Sequence, residues 1–157
     1  MSEENKVKTC FVIMPISDQP KYPAGHFDKI YEQIIVPAVK EAEFEPIRAD
    51  SNQICDSIMK KILKNLVECD MAICDLSSRN PNVMYELGIR QAYGKKVVLV
   101  QDDATDKIFD VAGINTVFYK KDRLYENVMK AKDDIANAIK ETYKNGSFSL
   151  MNIVNLA

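Results

Sequence analysis

The sequence predicts a single α/β domain built on an open parallel sheet, and two observations carry that expectation. Short apolar runs alternate with segments of helical period along the chain. The first of them, TCFVIMPI at 9–16, is apolar almost throughout, as strands covered on both faces are. A length of 157 residues, 46% hydrophobic and 28% charged, suits one domain with a real core.

The elements follow in order. After the strand at 9–16, Phe27 to Ala42 has helical spacing, with Ile30, Ile34, Ala38 and Val39 on one face and Pro37 as a bend or a last turn. Phe44 to Arg48 is a short second strand. Gln53 to Cys69 is a helix with Ile54, Ile58, Ile62, Leu66 and Val67 on one side, capped by Asp50, Ser51 or Asn52. Met71 to Leu76 is the third strand, and Asn82 to Tyr93 is a helix ending at Gly94. Lys96 to Gln101 is the fourth strand, Asp106 to Gly113 an irregular helical turn, Asn115 to Tyr119 the fifth strand, and Leu124 to Tyr143 the final helix. Right-handed crossovers make a flavodoxin-like sheet, order 2-1-3-4-5 with helices on both faces, the economical arrangement. Residues 1–8 read as a polar tail, 9–144 as the α/β domain, and 145–157 as an apolar tail expected to pack on the domain or a neighbour.

Net charge is −2, and the lysines are spread along helices as solvated faces. Nothing here asks for a nucleic acid or an anionic membrane as partner, since those need a basic patch. No apolar run approaches the roughly 20 residues of a membrane span. Met1 to Lys8 lacks a signal-peptide core, so a cytoplasmic location is expected. Cys10, Cys55, Cys69 and Cys74 form no CxxC pair and no zinc spacing with the single histidine. They read as buried free thiols, and neither a metal nor a cofactor is expected.

In an open parallel sheet, ligands bind beyond the carboxyl ends of the strands, at the switch point. Here that point lies between strands 1 and 3, where Met14 to His26 meets Asp75 to Glu86, with Asp50 and Gln101 to Asp103 at the flanks. The sequence DLSSRNPNVMYELG at 75–88 is far more polar than a minimal strand-to-helix turn. Asp75 closes the strand, Ser77, Ser78, Arg79 and Asn80 make the loop, and Pro81 and Asn82 start the helix. Free amides at the helix start suit a phosphate or sugar hydroxyls, and Arg79 adds a cation for phosphate. Glu86 follows Asn82 by four residues, which puts both on one face. If that face looks back over the strand ends, Val83, Met84, Leu87 and Ile89 leave Glu86 partly desolvated in the cleft, and a carboxylate so placed can be a nucleophile or general base at a sugar carbon. Each residue also has a structural role open to it. Glu86 can satisfy the helix dipole, Asp75 can cap the Ser77 and Ser78 amides, and Arg79 and Asn80 can serve the turn.

Met14, Pro15 and Ile16 end strand 1 where a dinucleotide fold carries glycines, and neither GxGxxG nor a Walker A motif is present. These three residues are candidates for the cleft wall. His26, opening the first helix, either caps it or reaches the cleft. A phospho-receiver would need an acid pair after strand 1 to hold magnesium, and Met14-Pro15-Ile16 supplies none.

FVIMPI at 11–16, IIVPAVKEA followed by FEPIRAD, CDMAICDLSSRNPNVMYELG at 69–88 and GKKVVLV at 94–100 together resemble the nucleoside 2-deoxyribosyltransferase-like proteins, a group that extends to TIR-like domains. The resemblance covers roughly residues 9 to 120 and is most specific at 75–88. It implies cleavage of an N-glycosidic bond, with Glu86 at the position of the helix-borne glutamate that attacks the anomeric carbon. It implies that Asp75 orients sugar or base, and that Asn80 and Asn82 contact ribose hydroxyls or the partner carboxylate. The transferases of free deoxynucleosides carry a DGT-type loop where this chain has SSRNPN. Serines with Arg79 fit a phosphorylated substrate better.

The expectation is an enzyme of N-glycosidic chemistry, hydrolase or transferase, acting on a nucleoside, nucleotide or NAD through Glu86. Asp75 is its second catalytic residue, and Met14, Pro15, Ile16, His26, Asp50, Ser77, Ser78, Arg79, Asn80 and Asn82 contact substrate. The alternative is a non-catalytic or TIR-like nucleotide-sensing module with the same cleft. A homo-oligomer, dimer or higher, is expected in either case from the resembled group.

Overall fold

The computed structural model describes residues 6–49, 55–108 and 116–145. Five strands, β1 (Thr9–Ile13), β2 (Glu45–Arg48), β3 (Met71–Asp75), β4 (Val98–Asp102) and β5 (Thr116–Tyr119), form one sheet in the order β2-β1-β3-β4-β5. Every pairing is parallel, so all carboxyl ends lie along one edge. The fold is the doubly wound, flavodoxin-like α/β sheet that the alternation of elements predicts. Candidate residue Asp50, most of the helical turn expected at 106–113, and the tail after Asn145 lie outside the described residues.

Successive strand residues point to opposite faces, and the central strands are apolar on both. Cys10, Val12 and Met14 of β1 and its end join Met71, Ile73, Val98 and Val100 in one core. Phe11 and Ile13 join Ala72, Cys74 and Leu99 in the other. The first core is closed by α1 (His26–Ile30), α2 (Val36–Glu41) and α5 (Tyr125–Asn145). The second is closed by α3 (Cys55–Glu68) and α4 (Pro81–Ala92). Each fully buried Ile, Leu or Phe contributes about 1.5–3 kcal/mol. Cys10, Cys69 and Cys74 are buried and free. Burial pushes the Cys10 thiol up to about 12, which keeps it protonated and inert.

The segment expected as one helix at 27–42 is α1 and α2 joined by a π turn, Tyr31–Ile35. The Val36 N–H bonds to the Tyr31 carbonyl, five residues back. Pro37 comes next; it has no N–H, and its ring would meet the Gln33 carbonyl in a regular α-helix. The helix widens by one residue ahead of the proline instead of breaking. β1 stops at Ile13, so Met14 to Ile16 run on past the sheet edge. Gly94, at φ +66, takes the left-handed position after α4.

Arg90 follows Leu87 by three residues and Val83 by seven, so helical spacing sets this charged residue on their face, and it is fully buried. Its Nη1 donates to the carbonyls of Leu66 and Cys69, at 3.0 and 2.9 Å. Its Nε and Nη2 donate to the Lys96 carbonyl at 3.0 and 2.8 Å. One guanidinium thus caps the end of α3 and holds the turn into β4, fixing α4 against both. Arg90→Leu leaves three carbonyls without their donor. It is expected to lose on the order of 3 kcal/mol or more of unfolding free energy in urea titration, with the m-value unchanged.

Candidate functional site

Two of the cavities at the carboxyl edge of the sheet lie on either side of the segment between β3 and α4. That segment starts from Asp75, the last residue of β3, only 1% exposed. The Ser77 N–H donates to its Oδ1 at 3.0 Å and the Tyr119 hydroxyl to its Oδ2 at 2.7 Å. Ser77 Oγ lies 3.2 Å from the Tyr119 oxygen and accepts the Asp102 N–H at 2.9 Å. Tyr119 gives its single proton to Asp75, so the Ser77 hydroxyl donates to Tyr119. Burial raises the Asp75 carboxyl to about 6, opposed by the bonds from Ser77 and Tyr119.

A short 3₁₀ turn, Ser77–Arg79, follows, with Ser78 at φ +67 and Arg79 at φ +53. Asn80 then caps α4: its Oδ1 accepts the N–H groups of Asn82 and Val83 at 2.9 and 3.2 Å. Its Nδ2 donates to Gln19 Oε1 at 3.0 Å, and Ser78 Oγ donates to the same oxygen at 3.3 Å. Gln19 thereby ties the long loop after β1 to the start of α4. The loop is closed on itself by Asp18, whose Oδ1 accepts the Gly25 N–H at 2.8 Å where Gly25 takes a left-handed φ of +73°.

The first cavity, about 260 Å³, lies on the α3 side of this segment. Met14, Pro15 and Ile16 form one wall. Ile58, Met59, Ile62 and Leu63 of α3 form another. Asn80, Asn82, Tyr85 and Glu86 form the third. Glu86 is half-buried and makes no hydrogen bond or ion pair with a described residue. Desolvation raises its carboxyl to about 7, with no opposing donor. Arg48, at the end of β2, steadies the opposite wall. It donates to the Pro15 carbonyl at 3.0 Å, pairs with Asp28 at 2.9 Å, and stacks on the Tyr31 ring.

The second cavity, about 440 Å³, lies on the other side, between the loops after β1 and β4. Ser78 and Arg79 line it together with Lys21, Tyr22, Thr105 and Lys121. Beneath it Asp102, fully buried, accepts from the Tyr22 hydroxyl at 2.7 Å and from Thr105 Oγ1 at 2.8 Å. His26 is buried against the Tyr22 and Phe27 rings, and its Nε2 has no partner among the described residues. Burial first, then Arg123, lowers its pKa.

The sequence-predicted residues therefore fall into three places. Glu86, Asn80, Asn82, Met14, Pro15 and Ile16 come together around one cavity. Ser78 and Arg79 belong to the other. Asp75, Ser77 and His26 are buried, the first two in the hydrogen-bond network between strand ends. Sequence reasoning missed Gln19, Arg48 and Tyr119, and it took the α3 wall for plain core. One signal was available: Met59 and Leu63 stand one residue beyond the Ile54-Ile58-Ile62 stripe and widen it. No group of three or more His, Cys, Asp or Glu side chains among the described residues is placed to hold a metal. None of the described helices is long and apolar enough to cross a membrane.

No family model matches the sequence, and no curated protein matches it. Solved structures do. The chain is similar in fold to the CMP N-glycosidase BcmB of Clostridium botulinum, with a TM-score of 0.56 and 16% identity over 80% of this chain and 98% of that one. It is also similar to part of the lysine decarboxylase LdcF of Francisella novicida, with a TM-score of 0.51 and 12% identity over 88% of this chain and 18% of that one. A 2-desoxiribosyltransferase from Leishmania mexicana gives a TM-score of 0.47 at 18% identity over 78% and 95% of the two chains. At these identities the likeness is one of fold.

The isolated Glu86 carboxyl has a measurable cost. Its folded-state pKa, about 7, lies above its ordinary 4.5. Folding therefore loses stability as pH rises from about 4.5 to about 7 and levels off above. Glu86→Gln lacks that loss. The melting temperature of the variant is expected to exceed the wild type by a margin that grows across this window and is constant beyond it. Thermal melts at half-unit pH steps check it, and a margin independent of pH contradicts it.

Proposed function

We propose that the protein cleaves or transfers the N-glycosidic bond of a nucleoside or nucleotide, with Glu86 as nucleophile. The observation that carries this reading is a carboxylate without partners among the described residues, in a cavity whose other walls are largely apolar. A carboxylate held that way is not spent on structure and is poised close to neutral pH. Its surroundings suit a nucleoside. Tyr85, Met59 and Ile16 at the rim are 64%, 49% and 41% exposed, apolar surface that a flat base can cover. Asn82 lies one turn before Glu86 with its side-chain amide making no bond to a described residue, available to a ribose hydroxyl. The fold likeness to a CMP N-glycosidase supports the same chemistry.

In this reading a Glu86 oxygen attacks C1′ as the C1′–N bond breaks. The bonding pair leaves on the base nitrogen, which takes a proton from solvent. Water, or a second base, then attacks C1′, releases the sugar and restores the carboxylate. Asp75 does not face this cavity, so its part is to hold the turn that aims α4. No step requires a metal.

The test is chromatographic detection of free base released from nucleosides, their 5′-monophosphates and NAD. Wild type is expected to release base from at least one of them. Glu86→Gln is expected to lose activity on the order of 10³-fold or more while staying folded. Because the nucleophile is the ionised form, kcat/KM is expected to rise with pH through about 7. No release from any substrate by folded protein would overturn the enzymatic reading in favour of a binding module.

A further inference from the structure

The Glu86 chemistry makes no use of the larger cavity. Its lining holds three cationic side chains, Lys21, Arg79 and Lys121, against one carboxylate, Asp106. None of the three cations forms an ion pair with a described residue. Arg79 Nη2 donates to a backbone carbonyl, that of Asp106, at 3.3 Å. The Lys121 ammonium sits 5.5 Å from the centre of the Tyr22 ring. The Lys21 ammonium makes no bond to a described residue. The acid beneath, Asp102, is engaged by Tyr22, Thr105 and the Ala104 N–H. Among the described residues, the three cations lining this cavity outnumber its one lining carboxylate.

The backbone points the same way. Among the described residues, five other than glycine have positive φ, and three of them, Lys21, Ser78 and Arg79, line this cavity. Such conformations are strained for residues with a Cβ and persist where surrounding bonds enforce them. Here the Ser78 N–H is held by Thr105 Oγ1 at 3.0 Å, and the Arg79 N–H by the Leu76 carbonyl at 3.1 Å.

We propose that this cavity binds the phosphate group of a small phosphorylated molecule, at a site separate from the Glu86 cavity. A guanidinium and two ammonium groups around one opening match a tetrahedral dianion, and about 440 Å³ leaves room for a sugar beyond it. The Ser77–Asn80 segment stands between the two cavities, so one anion cannot serve both. Gln19 Oε1 takes a bond from Ser78, on the phosphate side, and from Asn80, on the Glu86 side. A ligand that moves Ser78 therefore acts on the cap of the helix that carries Glu86.

Calorimetric titration of the full chain tests this, with inorganic phosphate, ribose 5-phosphate and ribose as probes. Wild type and Glu86→Gln are expected to bind both phosphate-bearing probes alike and ribose not at all. The Arg79→Ala/Lys121→Ala double variant is expected to bind at least tenfold more weakly, with an unchanged circular dichroism spectrum, and added KCl to weaken wild-type binding. Tighter binding of ribose 5-phosphate than of phosphate would place the sugar in the same cavity; equal binding would mean that the phosphate alone is read. Either fits the proposal. Absence of saturable binding, full affinity in the double variant, or loss of phosphate binding in Glu86→Gln would overturn it. Arg79→Lys, which keeps the charge, serves if the double variant fails to fold.

Discussion

The Asp75 carboxylate, held between the Tyr119 hydroxyl and the Ser77 amide, is the interaction on which the carboxyl edge of the sheet depends. It joins β3 to β5 across the intervening β4 and starts the turn that leads into α4. From there the order is mechanical. The turn presents Asn80 as a cap, the cap sets the first turn of α4, and the helical period carries Glu86 over the mouth between β1 and β3. Arg90 anchors the same helix at its far end. A side chain aimed by a helix pinned at both ends keeps its position without bonds of its own, which is why Glu86 needs no partner among the described residues.

The two acids of this edge illustrate how burial and bonding divide labour. Asp75 is the more deeply buried, but donors on both oxygens limit the rise in its pKa. Glu86 is less buried and has none among the described residues, and its pKa rises to about 7. Hydrogen bonds to the charged form oppose burial at Asp75 and tie that acid into the structure, whereas desolvation alone sets Glu86.

Much of the fold is legible in the sequence, because strand and helix periods are repeated signals. The order of elements, the strand order and the stop at Gly94 follow from pattern and handedness. The joint position of Asn82 and Glu86 was legible for the same reason, a four-residue spacing. What was not legible depends on single contacts between distant segments. Spacing sets Arg90 on the face of Val83 and Leu87, but nothing in the sequence shows that the end of α3 and the turn before β4 converge on it. Gln19 is one amide in a loop, and nothing in its neighbourhood marks it as the link between Ser78 and Asn80. The polar run at 75–82 reads as one site, but it is a wall with two sides, and a sequence carries no sign of which side a loop residue faces. The alternation that revealed the sheet could not reveal the π turn, since Pro37 reads equally well as a bend or an end.

That π turn can be viewed as a phase slip in a screw. One surplus residue rotates everything ahead of it by roughly 100° relative to everything behind. Behind the slip, Ala38 and Val39 face the sheet; ahead of it, Phe27 and Ile30 do so as well, while Asp28 is turned toward Arg48. Asp28, ahead of the slip, pairs with Arg48, and Arg48 in turn holds the Pro15 carbonyl. The cavity wall at Pro15 is therefore indexed to the angular setting of the first helical turn, and the helix works as a cam as much as a strut.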